Sequence, residues 1–331
     1  MWRPVTRGAT ALPWPGKSRV SVFTASGGAA TGARLWQGLA LAVAGALGFA
    51  GKAVLAKLMY RHGVDAVTVV AWRMMLALPF FLAMAWWGGR AAPALGARDW
   101  RIIAALGFSG YYLASMLDFY GLMYISASLE RLILYLGPTF VMVMAVVVLK
   151  KKVTPRQWLA AAISYAGVLV VFGHELLEPA AGPVGGGMAR TSWGAALVLG
   201  SALSYSAYLL ASGEVVARLG SLRLTGLAST VACLLCLLHF AVVHPLSAIV
   251  VPEPVVGLSV LNALLCTVMP VLATMMAIER IGPALSSQVG MIGPLSTIGL
   301  GVWLLGEPFT VWVLAGTVLV LTGVGLLARW R

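Results

Sequence analysis

Apolar residues dominate the chain from residue 36 onward, in long runs divided by short stretches of Gly, Pro and charged residues. An α-helix needs about 20 apolar residues to cross about 30 Å of hydrocarbon, and the runs are close to that length. The alternating segments of a membrane β-barrel are not seen, so helices are predicted. Ten spans follow: Trp36 to Leu58, Ala66 to Trp87, Trp100 to Tyr124, Ala127 to Leu149, Gln157 to Gly173, Ser192 to Val216, Leu222 to Val243, Val255 to Ile278, Pro283 to Leu305 and Pro308 to Ala328.

Composition supports an all-α protein with many membrane spans. Of 331 residues, 60% are hydrophobic and 10% are charged, and the mean hydropathy is +0.94. The net charge of +13 would suggest nucleic acid in a soluble protein, but here the basic residues lie in short loops and the first 34 residues. We therefore expect no nucleic-acid partner, and residues 1–34 are predicted to be a disordered cytoplasmic tail.

The distribution of Lys and Arg predicts the orientation. With a cytoplasmic amino terminus, 17 of the 23 basic residues lie inside, whereas Arg61, Arg131 and Arg190 lie outside. Loops rich in Lys and Arg stay in the cytoplasm, so both termini are expected there.

An internal repeat divides the spans into two halves. Gly137-Pro138 recurs 156 residues later as Gly293-Pro294, and the same offset relates Gly38 to Gly194 and Gly167-Val168 to Gly323-Val324. Because each half has five spans, the second copy enters the membrane from the opposite side. The sequence predicts inverted repeats at 35–173 and 192–328, an external linker at 174–191 and a cytoplasmic end at 329–331. Such repeats are typical of alternating-access transporters.

These features resemble the EamA-type transporters of the drug/metabolite transporter superfamily. The resemblance rests on the five-plus-five organisation, Gly293-Pro294, LLGEPFTVWVLAGTVLVLTGVGLL at 304–327, and Arg73 in AWRMMLALPF. It implies a secondary transporter in the bacterial inner membrane, often an exporter of amino acids or other small metabolites. The expected partners are a small-molecule solute and the lipid bilayer. Proton coupling and a homodimer stay open, and no enzyme activity, cofactor or metal is expected.

Ionisable residues within the predicted spans are the candidate chemistry, because each costs about 2.5–3.5 kcal/mol at mid-membrane. Six lie in the first half, all in its predicted outer part, whereas their counterparts 156 residues later are neutral. We select for substrate binding or translocation Lys52, Arg73, Asp118, Glu130, Arg131, Tyr208 and Gln288.

Three interpretations of these charges stay open. In the first, Arg73 pairs with Asp118 or Glu130 to join helices, and Lys57 extends to the membrane surface. In the second, Lys52, Arg73 or Arg131 binds a substrate carboxylate or phosphate. In the third, Asp118 or Glu130 couples transport to protons.

Pro138 and Pro294 are predicted to kink the fourth and ninth spans, because proline removes a helical hydrogen bond.

The function predicted best is a secondary transporter of small polar metabolites. The alternatives are a membrane-embedded enzyme or lipid-handling protein, and a scaffold that transports nothing. No catalytic cluster of His, Asp or Ser marks the enzyme class, and a scaffold would not account for an inverted repeat.

Overall fold

The computed structural model describes residues 32–90, 93–150, 152–178 and 187–330, so most of the predicted tail and residues 179–186 of the predicted linker lie outside the described residues. Within them the protein is all-helical. The helices are α1 (Gly32–Tyr60), α2 (Ala66–Gly89), α3 (Ala97–Leu122), α4 (Ala127–Leu134 and Gly137–Leu149), α5 (Pro155–Leu177), α6 (Met188–Leu219), α7 (Ser221–Val243), α8 (Glu253–Gly282), α9 (283–290 and Ile292–Leu305) and α10 (Val311–Arg329). All except the interrupted α9 are long and apolar enough to cross a membrane.

Local signals fix several helix boundaries. α4 starts after Ser126, whose hydroxyl accepts a hydrogen bond from the backbone N–H of Leu129 at 2.9 Å. α10 starts after Thr310, which caps Val313 in the same way and delays the predicted start at Pro308. Side chains of this kind satisfy donors that a helix start leaves unpaired. The fifth span also runs four residues beyond its predicted end at Gly173.

The two halves repeat their irregularities at the offset found in the sequence. A wide π-helical turn at Phe108–Leu113 in α3 recurs at Leu264–Val268 in α8. The break in α4 at 135–136 recurs in α9 at Met291. Contacts repeat too, since Gly38 lies against Arg280 and Ile281, and Gly194 lies against residues 124 and 125. The halves are therefore copies of one unit.

Helix pairing fits an inverted arrangement of these copies. Contacts between the halves include α1 with α8, α3 with α6, α2 with α7, α4 with α9, and α5 with α10. A two-fold operation that exchanges α1 with α6 and α3 with α8 converts the first contact into the second. The other three pairs map onto themselves. This is the relation expected for inverted repeats about an axis in the membrane plane.

Glycine allows α5 and α10 to approach closely. A Cβ on Gly316 would lie 2.6 Å from the backbone oxygen of Gly167 and would also overlap Val171. Small residues at such contacts let helix backbones pack tightly in a membrane.

Gly316→Ala is therefore expected to lower the free energy of unfolding by about 1–3 kcal/mol, the usual cost of overpacking. Thermal unfolding in detergent, followed by size-exclusion chromatography, measures the change. Gly325→Ala in the same helix is the control, because its Cβ would lie 3.5 Å from the flexible end of Met291. Equal stability of the two variants would contradict tight α5–α10 packing.

Candidate functional site

Four charged side chains of the first half meet inside the bundle, and we call them the Lys52 cluster: Lys52, Asp118, Glu130 and Arg131. Lys52 lies eight residues before the end of α1, about 12 Å along a helix that rises 1.5 Å per residue. Its ammonium donates a hydrogen bond to the carboxylate of Asp118 and lies 3.7 Å from the carboxylate of Glu130. Helices α1, α3 and α4 are thus joined by one cation between two anions.

Arg131 completes the cluster from the other side of Glu130. Its Nε lies 3.9 Å from Glu130 Oε2, and its terminal nitrogen donates to the backbone oxygen of Phe49 at 2.7 Å. Successive residues on a helix point about 100° apart, which by itself would direct Glu130 and Arg131 to different neighbours. Both long side chains nevertheless bend toward α1.

Several polar atoms of the Lys52 cluster are buried without a hydrogen-bond partner among the described residues. They are both carboxylate oxygens of Glu130, Oδ1 of Asp118 and Nε of Arg131. Glu130 is fully buried, whereas the side chain of Lys52 keeps 16% of its surface exposed. Unpaired buried groups are costly, so their grouping in one place points to a binding function.

Arg73 is not paired as predicted. Asp118 bonds to Lys52 instead, while Arg73 donates to the hydroxyl of Ser115 at 3.0 Å and lies over the ring of Phe119 at 4.5 Å. Lys52 also lies over that ring, at 5.6 Å. The interpretation that Arg73 pairs with Asp118 or Glu130 is wrong, because Lys52 of α1 reaches both carboxylates instead. The aromatic face takes the place of the expected carboxylate.

The second-half candidates lie apart from the Lys52 cluster or beyond the described side chains. Tyr208 forms a hydroxyl–hydroxyl hydrogen bond of 3.2 Å with Tyr111 and stacks on Tyr205. Gln288 belongs to the first segment of α9, but its side chain lies outside the described residues. The structure therefore brings together four of the five ionic candidates, while Tyr208 contacts other tyrosines.

The two helix breaks contact each other next to this cluster. Pro138 lies just after the break in α4, and Pro294 follows the break in α9 by three residues. The hydroxyl of Tyr135, at the first break, donates to the backbone oxygen of Gly290, just before the second. Interrupted helices that meet in this way are typical of transporter binding sites, because they free backbone groups deep in the membrane.

A second group of polar and charged side chains joins α1, α5 and the loop after α9 to the start of α4, and we call it the Glu307 cluster: Lys57, Ser126, Glu175 and Glu307. Glu307, in the loop after α9, accepts from the backbone N–H of Ala127 at 2.8 Å and from the hydroxyl of Ser128 at 3.2 Å. Glu175 of α5 accepts from the backbone N–H of Ser126 at 3.3 Å and from its hydroxyl. Two carboxylates thus cap the start of α4, where a helix favours negative charge.

Lys57 neutralises part of this charge. Its ammonium lies 3.3 Å from Glu307, and its side chain is only 7% exposed. The prediction that Lys57 extends to the membrane surface is therefore wrong, because a buried carboxylate lies within reach. Nearby, Arg61 donates to the backbone oxygen of Leu305. Loops of the two halves are tied together at this end.

The sequence interpretation missed Glu175 and gave Glu307 no partner. Glu175 was missed because the fifth span was predicted to end at Gly173, although the helix continues to Leu177. Glu307 was visible in the LGEP stretch, but its counterpart 156 residues earlier is Lys151, which argued against a symmetric pair of loop glutamates. An acidic residue in the last turn of an apolar helix was the signal that could have revealed Glu175.

Comparisons with known proteins agree with this architecture. The model of the EamA-like transporter family matches residues 36–173 and 192–329. An uncharacterized transporter, YcbK of Bacillus subtilis (strain 168), is 29% identical over 274 residues, covering 80% of this chain and 83% of YcbK. A protein of known crystal structure shares the fold with a TM-score of 0.59 at 17% identity, covering 87% of this chain and 97% of that one. The chain therefore belongs to the EamA-like transporter family and is a multi-span membrane transporter with two EamA domains.

Proposed function

We propose that this transporter exports small zwitterionic metabolites, such as amino acids, by alternating access. The observation that carries the proposal is the pair of unsatisfied groups in the Lys52 cluster. Among the described residues, the carboxylate of Glu130 has no hydrogen-bond donor and Nε of Arg131 has no acceptor; the two groups form an ion pair at 3.9 Å. A zwitterion supplies both, with its ammonium at Glu130 and its carboxylate at Arg131. Export is the direction that the family resemblance implies.

Charge balance also favours a zwitterion over a simple anion. Lys52 and Arg131 contribute two positive charges to the cluster, and Asp118 and Glu130 contribute two negative ones. A neutral site deep in the membrane does not hold a net anion without a further cation, since a buried unpaired charge is costly. A further buried cation, Arg73, shares the ring of Phe119 with Lys52 and donates to Ser115, while its Nε has no hydrogen-bond partner among the described residues.

Alternating access requires that one end of the bundle opens while the other closes. The Glu307 cluster closes one end, because the loop after α9 and the last turn of α5 both bind the start of α4. We place this end outside the cell, with both termini in the cytoplasm, on the distribution of Lys and Arg along the chain. The chain as described is then closed outward.

Counterflow in proteoliposomes tests the proposed function. Vesicles preloaded with unlabelled alanine, threonine or phenylalanine should take up the labelled form of the same amino acid faster than protein-free vesicles do. A panel of labelled dicarboxylates and nucleotides tests the anion alternative. Uptake of an anion without uptake of any amino acid would contradict the zwitterion assignment.

Arg131→Gln should weaken the apparent affinity for the transported amino acid by about 10- to 150-fold, the loss of a hydrogen bond to a charged group. The concentration dependence of counterflow measures the change. Arg218→Gln is the control, since Arg218 forms an exposed ion pair with Asp99 that contributes little to stability. An unchanged affinity in the Arg131 variant would remove Arg131 from the site.

A further inference from the structure

We infer that Glu130 is also the binding site of a coupling proton, which it exchanges for the ammonium of the substrate. The inference rests on the proposed function and adds the energy source for transport. Three observations carry it: the burial of Glu130, the absence of a hydrogen-bond donor to either of its oxygens among the described residues, and its place between two cations that are otherwise engaged.

The cations near Glu130 satisfy other groups first. Lys52 gives its hydrogen bond to Asp118 and stays 3.7 Å from Glu130. Arg131 gives its short hydrogen bond to the backbone of Phe49 and stays 3.9 Å away. An ionised carboxylate without hydrogen bonds is unfavourable in such a place, and protonation removes its charge.

The remaining surroundings of α4 add little charge at this position. Helices α6, α9 and α10 contribute apolar side chains to the core around α4, among them Val198, Ile298 and Val313. The carboxylates of Glu175 and Glu307 bind the start of α4, three or four residues before Glu130. Lys57 lies with them, and Asp118 is the acidic neighbour that also contacts Lys52.

Proton and substrate ammonium then compete for the same carboxylate. As the ammonium approaches, the O–H bond of protonated Glu130 breaks, the proton leaves to water on the side from which the substrate enters, and the carboxylate pairs with the ammonium. After the opposite end opens, the substrate leaves and Glu130 takes a proton from that side. One zwitterion therefore moves against one proton, and a proton gradient drives its accumulation.

Proteoliposomes with a pH difference across the membrane test this exchange. Labelled amino acids selected by the counterflow assay should accumulate about tenfold per pH unit on the more acidic side, with the membrane potential clamped. Glu130→Gln removes the charge that binds the ammonium, so its apparent affinity should fall. At a substrate concentration high enough to restore counterflow, its accumulation ratio should nevertheless be about one. Glu253→Gln, an exposed acid at the start of α8, is the control and should accumulate as wild type does.

A second measurement uses wild-type protein alone. Adding the same amino acid to purified protein in weakly buffered detergent should release close to one proton per bound substrate, read with a pH-sensitive dye. Wild-type counterflow without accumulation in a pH gradient and without proton release would overturn the coupling role and leave the proposed function intact. Absence of counterflow for every amino acid would overturn both.

Discussion

Lys52→Met is expected to lower the stability of the folded protein by about 3–5 kcal/mol, the usual cost of removing one partner from a buried ion pair. The substitution keeps the length of the side chain but leaves Asp118 and Glu130 buried without the ammonium between them. Thermal unfolding in detergent measures the loss. Arg34→Met in the same helix is the control, because Arg34 is exposed.

Two further variants separate the structural and transport roles of the cluster. Adding Asp118→Asn to Lys52→Met removes one of the two unpaired charges and should recover most of the stability. Exchanging the two residues, as Lys52→Asp with Asp118→Lys, should recover folding but not counterflow, because the cation then approaches Glu130 from α3. Normal affinity in the exchanged protein would show that the cluster only joins helices.

The fold was predictable because hydropathy and the repeat are properties of the sequence itself. Apolar runs predicted the helices, and the offset between Gly137-Pro138 and Gly293-Pro294 predicted two copies, which the π-helical turns at Phe108–Leu113 and Leu264–Val268 also follow. No local sequence pattern predicts a π-helical turn, since such a turn depends on how the helix packs. The interruption of α9, by contrast, falls at Met291, three residues before Pro294, the proline predicted to kink this span.

The pairing of charges was less predictable because it depends on helix rotation and distance. All four members of the Lys52 cluster were among the six ionisable residues counted within the first-half spans. The choice of Lys52 over Arg73 as the partner of Asp118 could not be predicted, because it depends on which helix brings its cation next to the two acids. The contact of Glu307 with the start of α4 joins residues 180 positions apart, which no spacing rule provides.

The second large effect is expected at the Glu307 cluster. It concerns the balance between the state that is open at this end of the bundle and the state that is open at the other end. Glu307→Gln removes a charge that binds the backbone of Ala127, the side chain of Ser128 and the ammonium of Lys57. A hydrogen bond to a charged group contributes about 1.5–3 kcal/mol, and 1.4 kcal/mol is a tenfold change in an equilibrium. We therefore expect the fraction of Glu307→Gln molecules that are open at this end to be at least ten times the wild-type fraction.

Labelling of a single cysteine measures this shift. In a background without Cys233, Cys236 and Cys266, Ile125→Cys places a buried thiol beside Gly194 at the same end. A membrane-impermeant maleimide should label it faster when Glu307→Gln is present, and Glu253→Gln serves as the control. Adding Lys57→Met removes the buried ammonium that Glu307→Gln leaves unpaired. If labelling stays fast in that double variant while stability returns, the carboxylate closes this end; if labelling returns to the wild-type rate, Glu307 serves only to neutralise Lys57.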